Sequence, residues 1–351
     1  MDIRRETWGA MPDGREAELF SLTNQRGMVA TVTNYGATLV SLTAPDKLGT
    51  MADMVLGYDS LDGYLKDQSF MGCTVGRVAN RISGASFELD GQVYALGANH
   101  GEHQLHGGST GFHNRLWDVE ILDSSEQQKL VLTYHSVDGE EGYPGNLDVS
   151  VVYTLTEEGL RICYRAVTDK PTVVNLADHA YFNLSGTVDE AVGDHVLTLN
   201  ASSYLMTDDS LVPSGEVGDV SGTPLDFTRP KTIGLEIDVA HEATEAEQGY
   251  DHCFVIDGGS DDLVRAAQVF HGGSGRVLDV YTTQQCVQLY SGNHFPDSLT
   301  GKLGAMYFKR QGFCLEAQGY VDAPNRAEFP AVTLRPGEKY KQVTEYRFST
   351  M

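Results

Sequence analysis

Leu147-Asp-Val-Ser-Val-Val-Tyr-Thr-Leu155, then Thr156-Glu-Glu-Gly159, then Leu160-Arg-Ile-Cys-Tyr-Arg-Ala-Val-Thr168, is the stretch on which the fold class turns. Two β-branched and aromatic runs flank the turn Glu157-Glu158-Gly159, the pattern of two strands folded back on each other. The same grammar recurs on both sides. Upstream, 117–122 and 130–135 read as strands, 29–42 alternates and breaks at Asn34-Tyr35-Gly36, and 87–94 carries Asp90-Gly91 between two short runs. An Asp-Gly pair in that setting signals a two-residue hairpin. Downstream, strands are expected at 195–199, 253–256, 264–270, 277–281, 287–290, 313–315 and 340–348. Helical periodicity is confined to 56–66 and 235–247, each long enough for a short helix. Strand after strand without alternating helices predicts an all-β protein of antiparallel sheets rather than βαβ units. With no linker, low-complexity tract or fixed-period repeat, residues 1–351 read as a single domain, and a propeller is not supported.

Composition excludes several function classes. A net charge of −24 argues against nucleic acid, against anionic membrane surfaces and against strongly anionic substrates, all of which call for clustered Lys and Arg. A neutral substrate is compatible. The five cysteines (Cys73, Cys163, Cys253, Cys286, Cys314) lie far apart with no CxxC pair, which fits reduced thiols in a cytoplasmic protein. The N-terminus has no apolar h-region and no run of 18 apolar residues occurs, so neither a signal peptide nor a membrane helix is expected. There is no P-loop, no Gly-x-Gly-x-x-Gly opening a helix and no Gly-x-Ser-x-Gly elbow, so no nucleotide cofactor or serine-hydrolase chemistry is expected.

Chemistry-bearing residues fall into a few places. Asn175-Leu-Ala-Asp-His-Ala-Tyr-Phe-Asn-Leu-Ser-Gly186 sets His179 at the end of a β-prone run beside aromatic residues. That suits a positioned catalytic imidazole and equally a core histidine held by a backbone partner. The glycine-rich loops at 100–114, 138–146 and 208–229 are natural places for binding residues. The first holds His100, His103, His106 and His113; a metal reading is weakened by the loop setting and the lack of HExxH or a nearby cysteine. A single histidine meeting a substrate is the competing reading, with His106 favoured because Gly107-Gly108 lets the backbone come close to a ligand. The other three are expected to be solvated. Arg77 and Arg81, four residues apart, are either surface ion-pair partners or paired donors for vicinal hydroxyls. Glu316, after the apolar run Phe313-Cys-Leu315, is either partly buried or at a strand end lining a pocket, and a buried carboxylate without a task is uncommon. With His179 it could supply one base and one acid to a polyhydroxylated neutral molecule.

Taken together these pieces resemble the aldose 1-epimerases, also called galactose mutarotases. The resemblance runs through Thr33-Asn-Tyr-Gly-Ala-Thr38, Gly76-Arg-Val-Ala-Asn-Arg-Ile82, Leu105-His-Gly-Gly108, Asp138-Gly-Glu-Glu-Gly-Tyr-Pro-Gly145 and His179-Ala-Tyr-Phe-Asn-Leu184. It continues through Tyr250-Asp-His252, Val277-Leu-Asp-Val-Tyr-Thr-Thr283, Val287-Gln-Leu-Tyr-Ser-Gly-Asn293, Phe313-Cys-Leu-Glu-Ala-Gln318 and Leu334-Arg-Pro-Gly-Glu338. It implies a large antiparallel β-sandwich, the mutarotase-like supersandwich, with few short helices and the sugar in an open cleft. It implies Glu316 as general base and His179 as general acid, with His106 near the ring oxygen and Arg81, Asn80, Asp251 and Gln288 on substrate hydroxyls.

On that resemblance the reaction interconverts the α and β anomers of free hexoses such as galactose and glucose, with no metal or cofactor. Glu316 takes the O1 proton, a protonated His179 donates to the ring O5, and the open aldehyde turns before reclosing. Keeping His179 protonated at neutral pH requires a pKa above about 6.5, for which Asp251 and Glu316 are the natural suppliers. Asp178 departs from the family's usual Asn before the histidine; strand alternation would point it away from the imidazole. Rival readings are a glycoside hydrolase using Glu316 and Asp251, whose carboxylates would need separations of about 5–5.5 or 6.5–9.5 Å, a non-catalytic sugar-binding module, and a relative acting on phosphorylated hexoses. No basic cluster for a phosphate accompanies these motifs. A monomer or homodimer is expected.

Overall fold

The computed structural model describes residues 2–122, 128–241, 244, 248–259, 262–296 and 299–351. The opening hairpin forms as read: Leu147–Leu155 and Gly159–Thr168 pair antiparallel, with Leu147 opposite Thr168 and Leu155 opposite Leu160. They lie inside a nine-stranded sheet ordered 118–122, 129–136, 147–155, 159–168, 340–350, 276–282, 264–271, 196–199, 231–232. Five strands from Asp2–Ala10 to Met51–Asp53 form a second sheet in chain order. A third, six-stranded sheet runs 181–182, 313–318, 286–290, 251–255, 203–207, 213–219. All pairings between named strands are antiparallel.

Both smaller sheets pack on the nine-stranded one. Phe182 of the third sheet lies 4.8 Å, ring to ring, from Tyr346 of the nine-stranded sheet. The Tyr153 hydroxyl donates at 2.7 Å to the carbonyl of Ala37, ahead of the second sheet's strand Thr38–Pro45. The main apolar core takes side chains from Phe20 to Phe348. In Phe313–Gln318 every residue is buried, so this strand is covered on both faces.

The Asp90-Gly91 hairpin forms between Ser86–Leu89 and Gln92–Ala95, with φ of 53° and 80° at the two turn residues, the left-handed pair a tight hairpin needs. Of the expected helix at 56–66, Leu61–Leu65 is helical, and within the one expected at 235–247 the described residue Thr244 is helical. Across 235–241 the chain runs in turns and irregular backbone: Ile237 is buried while Leu235 and Val239 are exposed, an alternation that gives no helical stripe. Residues 242, 243 and 245–247 of that expected helix lie outside the described residues. The loop expected at 208–229 contains the strand Pro213–Asp219, which closes the edge of the six-stranded sheet. Its proline stands first and its outer face is solvated, so it carries little apolar signal. Among the described residues no helix is long and apolar enough to cross a membrane.

Candidate active site

One face of the six-stranded sheet carries the chemistry. Glu316 stands directly opposite Gln288, Gln288 is opposite Cys253, and Asp251 lies two residues before Cys253. Side chains alternate along a strand, so Cys314, Glu316, Gln288 and Asp251 share that face. His179 reaches the same place from a segment pinned at both ends. Ala177 and Asp178 pair with Val75 and Thr74, and Tyr181 and Phe182 pair with Cys314 and Phe313. Between these pairings the His179 N–H donates to the Cys73 carbonyl at 3.0 Å. The His179 Nε2 lies 3.7 Å from the Glu316 Oε1, with both side chains almost fully buried.

His106 enters from the glycine-rich loop. Its φ is 50°, and Gly107 follows at 83°, where a Cβ would lie 1.8 Å from the Gly76 carbonyl oxygen. Only glycine allows that close approach. The His106 Nδ1 accepts the Asn80 backbone N–H at 3.2 Å, which leaves the proton of the neutral ring on Nε2. Asn80 Oδ1 in turn accepts from the Arg81 N–H at 2.9 Å and from its Nη1 at 3.3 Å. Arg81 Nη2 lies 3.6 Å from Asp251 Oδ2.

These groups line a cleft of about 420 Å³, within the roughly 300–1,000 Å³ range of small-molecule sites. Among the buried polar atoms, Glu316 Oε2 and Arg81 Nε make no hydrogen bond. An acceptor and a donor left unpaired in the same cleft mark where a ligand's hydroxyls would bond. The walls are aromatic. Phe70, at φ 57°, packs its ring 4.6 Å from His106 and 5.9 Å from His179, and Tyr181 lies 5.0 Å from His179.

Burial dominates the electrostatics. Glu316 is pushed well above the ordinary carboxylate range, first by desolvation and then by the neighbouring Asp251 and Asp178. His179 is pushed down to about 4 by desolvation, which outweighs the charge of Asp251. The expectation that nearby carboxylates raise His179 is therefore reversed: an imidazole this deeply buried loses more hydration than Asp251 returns. His106 is likewise held well below its ordinary value by burial and by His179.

Of the expected residues, Glu316, His179, His106, Arg81, Asn80 and Asp251 all line the cleft. Gln288 does not. On the same face as Glu316 and Asp251, its Nε2 donates at 2.6 Å to Asp251 Oδ1 and its Oε1 accepts from Gln318 at 3.4 Å. The bond to Asp251 fixes the orientation of that carboxylate. Arg77 is neither a surface residue nor a cleft residue: buried, it donates to the carbonyls of Pro144 and Gly145 at 2.8 and 3.0 Å and so fixes the 138–146 loop. His100 is exposed, as expected, and also lines the cleft. His113 packs 4.8 Å from Phe70, and His103 Nδ1 accepts the Gly84 N–H at 3.1 Å.

Ring and carboxylate atoms of His106, His179 and Glu316 lie within 4.8 Å of one another, a donor set that could in principle grip a cation. The fit fails at His106, whose Nδ1 is taken by the Asn80 N–H so that the proton sits on the nitrogen that would have to ligate. Asp178 points to the opposite face, as alternation requires, where Tyr346 donates its hydroxyl to the two carboxylate oxygens at 2.8 and 2.9 Å. Phe70 lacks any sequence signal of its own and reaches the cleft only through the folded geometry, whereas Tyr290 belongs to the 287–293 motif and reaches it from the end of the strand Cys286–Tyr290.

Known proteins resemble this chain along nearly its whole length. Residues 18–347 match the family profile described as aldose 1-epimerase. The chain is 42% identical over 350 residues to a galactose mutarotase of Bos taurus, covering 99% of both chains. It is 38% identical over 346 residues to an aldose 1-epimerase of Escherichia coli, covering 98% of each. A crystal structure of a galactose 1-epimerase from Lactobacillus acidophilus superposes with a TM-score of 0.86 at 30% identity, covering 99% of both chains. Sharing both the profile along nearly its whole length and the fold, this chain belongs to the aldose 1-epimerase family.

Proposed function

We propose that the protein is an isomerase that interconverts the α and β anomers of free hexoses, galactose and glucose among them, by opening and reclosing the pyranose ring. The observation that carries this reading is the buried pair of Glu316 and His179, 3.7 Å apart at the floor of a cleft with an unpaired acceptor and an unpaired donor. Ring opening takes a proton from the O1 hydroxyl and delivers one to O5. Glu316 accepts the first and His179 gives the second, so the C1–O5 bond breaks as the C1 carbonyl forms. Rotation about C1–C2 presents the other face of the aldehyde. Closure then returns the O5 proton to His179 while Glu316 gives its proton back to O1.

The pair carries one proton throughout. Ionised Glu316 with protonated His179 faces the ring, and protonated Glu316 with neutral His179 faces the aldehyde. Burial favours the second arrangement. A sugar hydroxyl on Glu316 Oε2, with Arg81 close by, supports the first. Holding both within reach of one proton transfer is what a reversible isomerisation needs. His106, with its proton on Nε2, stays neutral and donates near the ring oxygen. Asp251 with Arg81 and Asn80 takes hydroxyls further along the ring.

Asp251 is held by Arg81 and Gln288, which fixes it as an acceptor for sugar hydroxyls. Support for one domain over 1–351 comes from a core that joins Phe20 to Phe348. Five buried, unpaired cysteines suit the cytoplasm, with the chain acting as a monomer or homodimer on a small sugar, apart from nucleic acid and membranes.

Polarimetry on freshly dissolved α-D-galactose and α-D-glucose tests the reading; equilibration no faster than in buffer would sink it. Glu316→Gln should lower kcat by roughly 10²–10⁴-fold while sugar binding persists. Retention of wild-type kcat in that variant would remove Glu316 as the base.

A further inference from the structure

The strand Phe313–Gln318 touches His179 at both ring nitrogens. Glu316 Oε1 lies 3.7 Å from Nε2, and Cys314, two residues earlier on the same face, places its Sγ 3.5 Å from Nδ1. The thiol is fully buried beneath the imidazole and is absent from the cleft lining, so it meets the sugar only through the ring. We propose that Cys314 is a positioning residue for the general acid, holding His179 by Nδ1 so that Nε2 faces Glu316 and the sugar's ring oxygen. This inference rests on the roles assigned above to Glu316 and His179.

A thiol suits that position for two reasons. Sulfur is both a weak donor and a weak acceptor, so it can take Nδ1–H from the protonated ring and give S–H to the other neutral tautomer. It is also uncharged, since burial and the charges of Glu316 and Asp178 push its pKa well above the ordinary thiol value. A carboxylate at Nδ1, the partner found in hydrolase triads, would stabilise the imidazolium and weaken it as an acid. A neutral sulfur leaves His179 a strong donor to a weakly basic ether oxygen, in keeping with its depressed pKa. The other polar groups facing the imidazole are Asp251, His106, Tyr181 and Tyr290. Of these, His106 meets the ring edge-on 5.2 Å away between centroids.

Three measurements test the role. Cys314→Ala, which leaves Nδ1 without its partner, should lower kcat about tenfold with KM nearly unchanged, as misorientation of a proton donor does. Cys314→Ser should recover most of that loss, and its stronger hydrogen bond should move the acid limb of the pH profile upward. Nitrogen NMR of the wild-type imidazole should show the His179 Nδ1 resonance shifting in both variants while Nε2 stays within the neutral range. The NMR reads the contact whether or not sugar is turned over, so it separates failure of this inference from failure of the mutarotase reading. A folded Cys314→Ala enzyme with wild-type kcat would overturn the proposal. So would equal losses in Ala and Ser with an unmoved pH profile, or an Nδ1 resonance indifferent to both changes.

Discussion

Desolvation, more than any single neighbouring charge, sets the proton inventory at Glu316 and His179, and it fixes how activity responds to pH. One proton is shared while the pair works, and a second can add only where His179 titrates, about pH 4. With both groups protonated, Glu316 can no longer accept the O1 proton. We therefore expect kcat/KM to hold level through neutral pH and to fall in acid near pH 4, well below the ordinary imidazole value of about 6.5. An acid limb between pH 6 and 7 would show instead that the pair takes up its second proton near the ordinary imidazole value. Asp178 offers a stability test on the other face of the same segment. Its folded pKa is raised to about 6 by burial, against about 3.9 unfolded. A carboxyl raised on folding favours the protonated state, so the cost of ionising it grows as pH rises from about 4 through 6 and is complete above. Asp178→Asn can still accept from Tyr346 and should stabilise the protein by about 2–3 kcal/mol at pH 7–8. That gain should vanish in thermal melts as pH approaches 4; a gain independent of pH would point to packing rather than charge.

At the scale of the strand, position is decided by which face a residue takes and what stands opposite. Gln288 shows the consequence. It donates to Asp251 from the neighbouring strand at 2.6 Å, so removing it leaves Asp251 held by Arg81 alone while the acid and the base keep their own side chains. Gln288→Leu should raise KM for galactose about fivefold, the equivalent of one lost hydrogen bond of about 1 kcal/mol, with kcat within about twofold. A fall in kcat at constant KM would place Gln288 in the chemistry instead. The same residue marks where sequence reading stopped. The hairpin at 147–168 was legible because alternation and a Glu-Glu-Gly turn are local signals, and Glu316 was legible because a carboxylate in an apolar strand is out of place. Gln288 was recognisable as part of the site, but its distance from the cleft depends on pairing between three strands far apart in sequence. Phe70 left no trace, because its place against His106 comes from a left-handed turn in a loop. The edge strand Pro213–Asp219 was missed because solvent, not a core, faces most of it.

For the molecule as a whole, the charge of −24 and the cleft obey different rules. Acidic side chains spread over the surface repel one another, and salt screens that repulsion within a Debye length of about 8 Å at physiological ionic strength. Among the described residues that line the cleft, Arg81 is the single Lys or Arg, and Asp251 and Glu316 line it too. A neutral hexose brings no charge for that arrangement to steer, whereas a phosphorylated hexose would meet two carboxylates and one cation. We therefore expect the melting temperature to climb between low salt and about 0.5 M NaCl, while KM for galactose stays within about twofold over the same range. Hexose 6-phosphates should be turned over far less efficiently, with a KM that depends on salt. Thermal melts and polarimetric kinetics along one salt series check both halves together. A galactose KM that moved in step with the melting temperature would mean that the surface charge reaches the site and that the substrate is not the neutral sugar the cleft is built to hold.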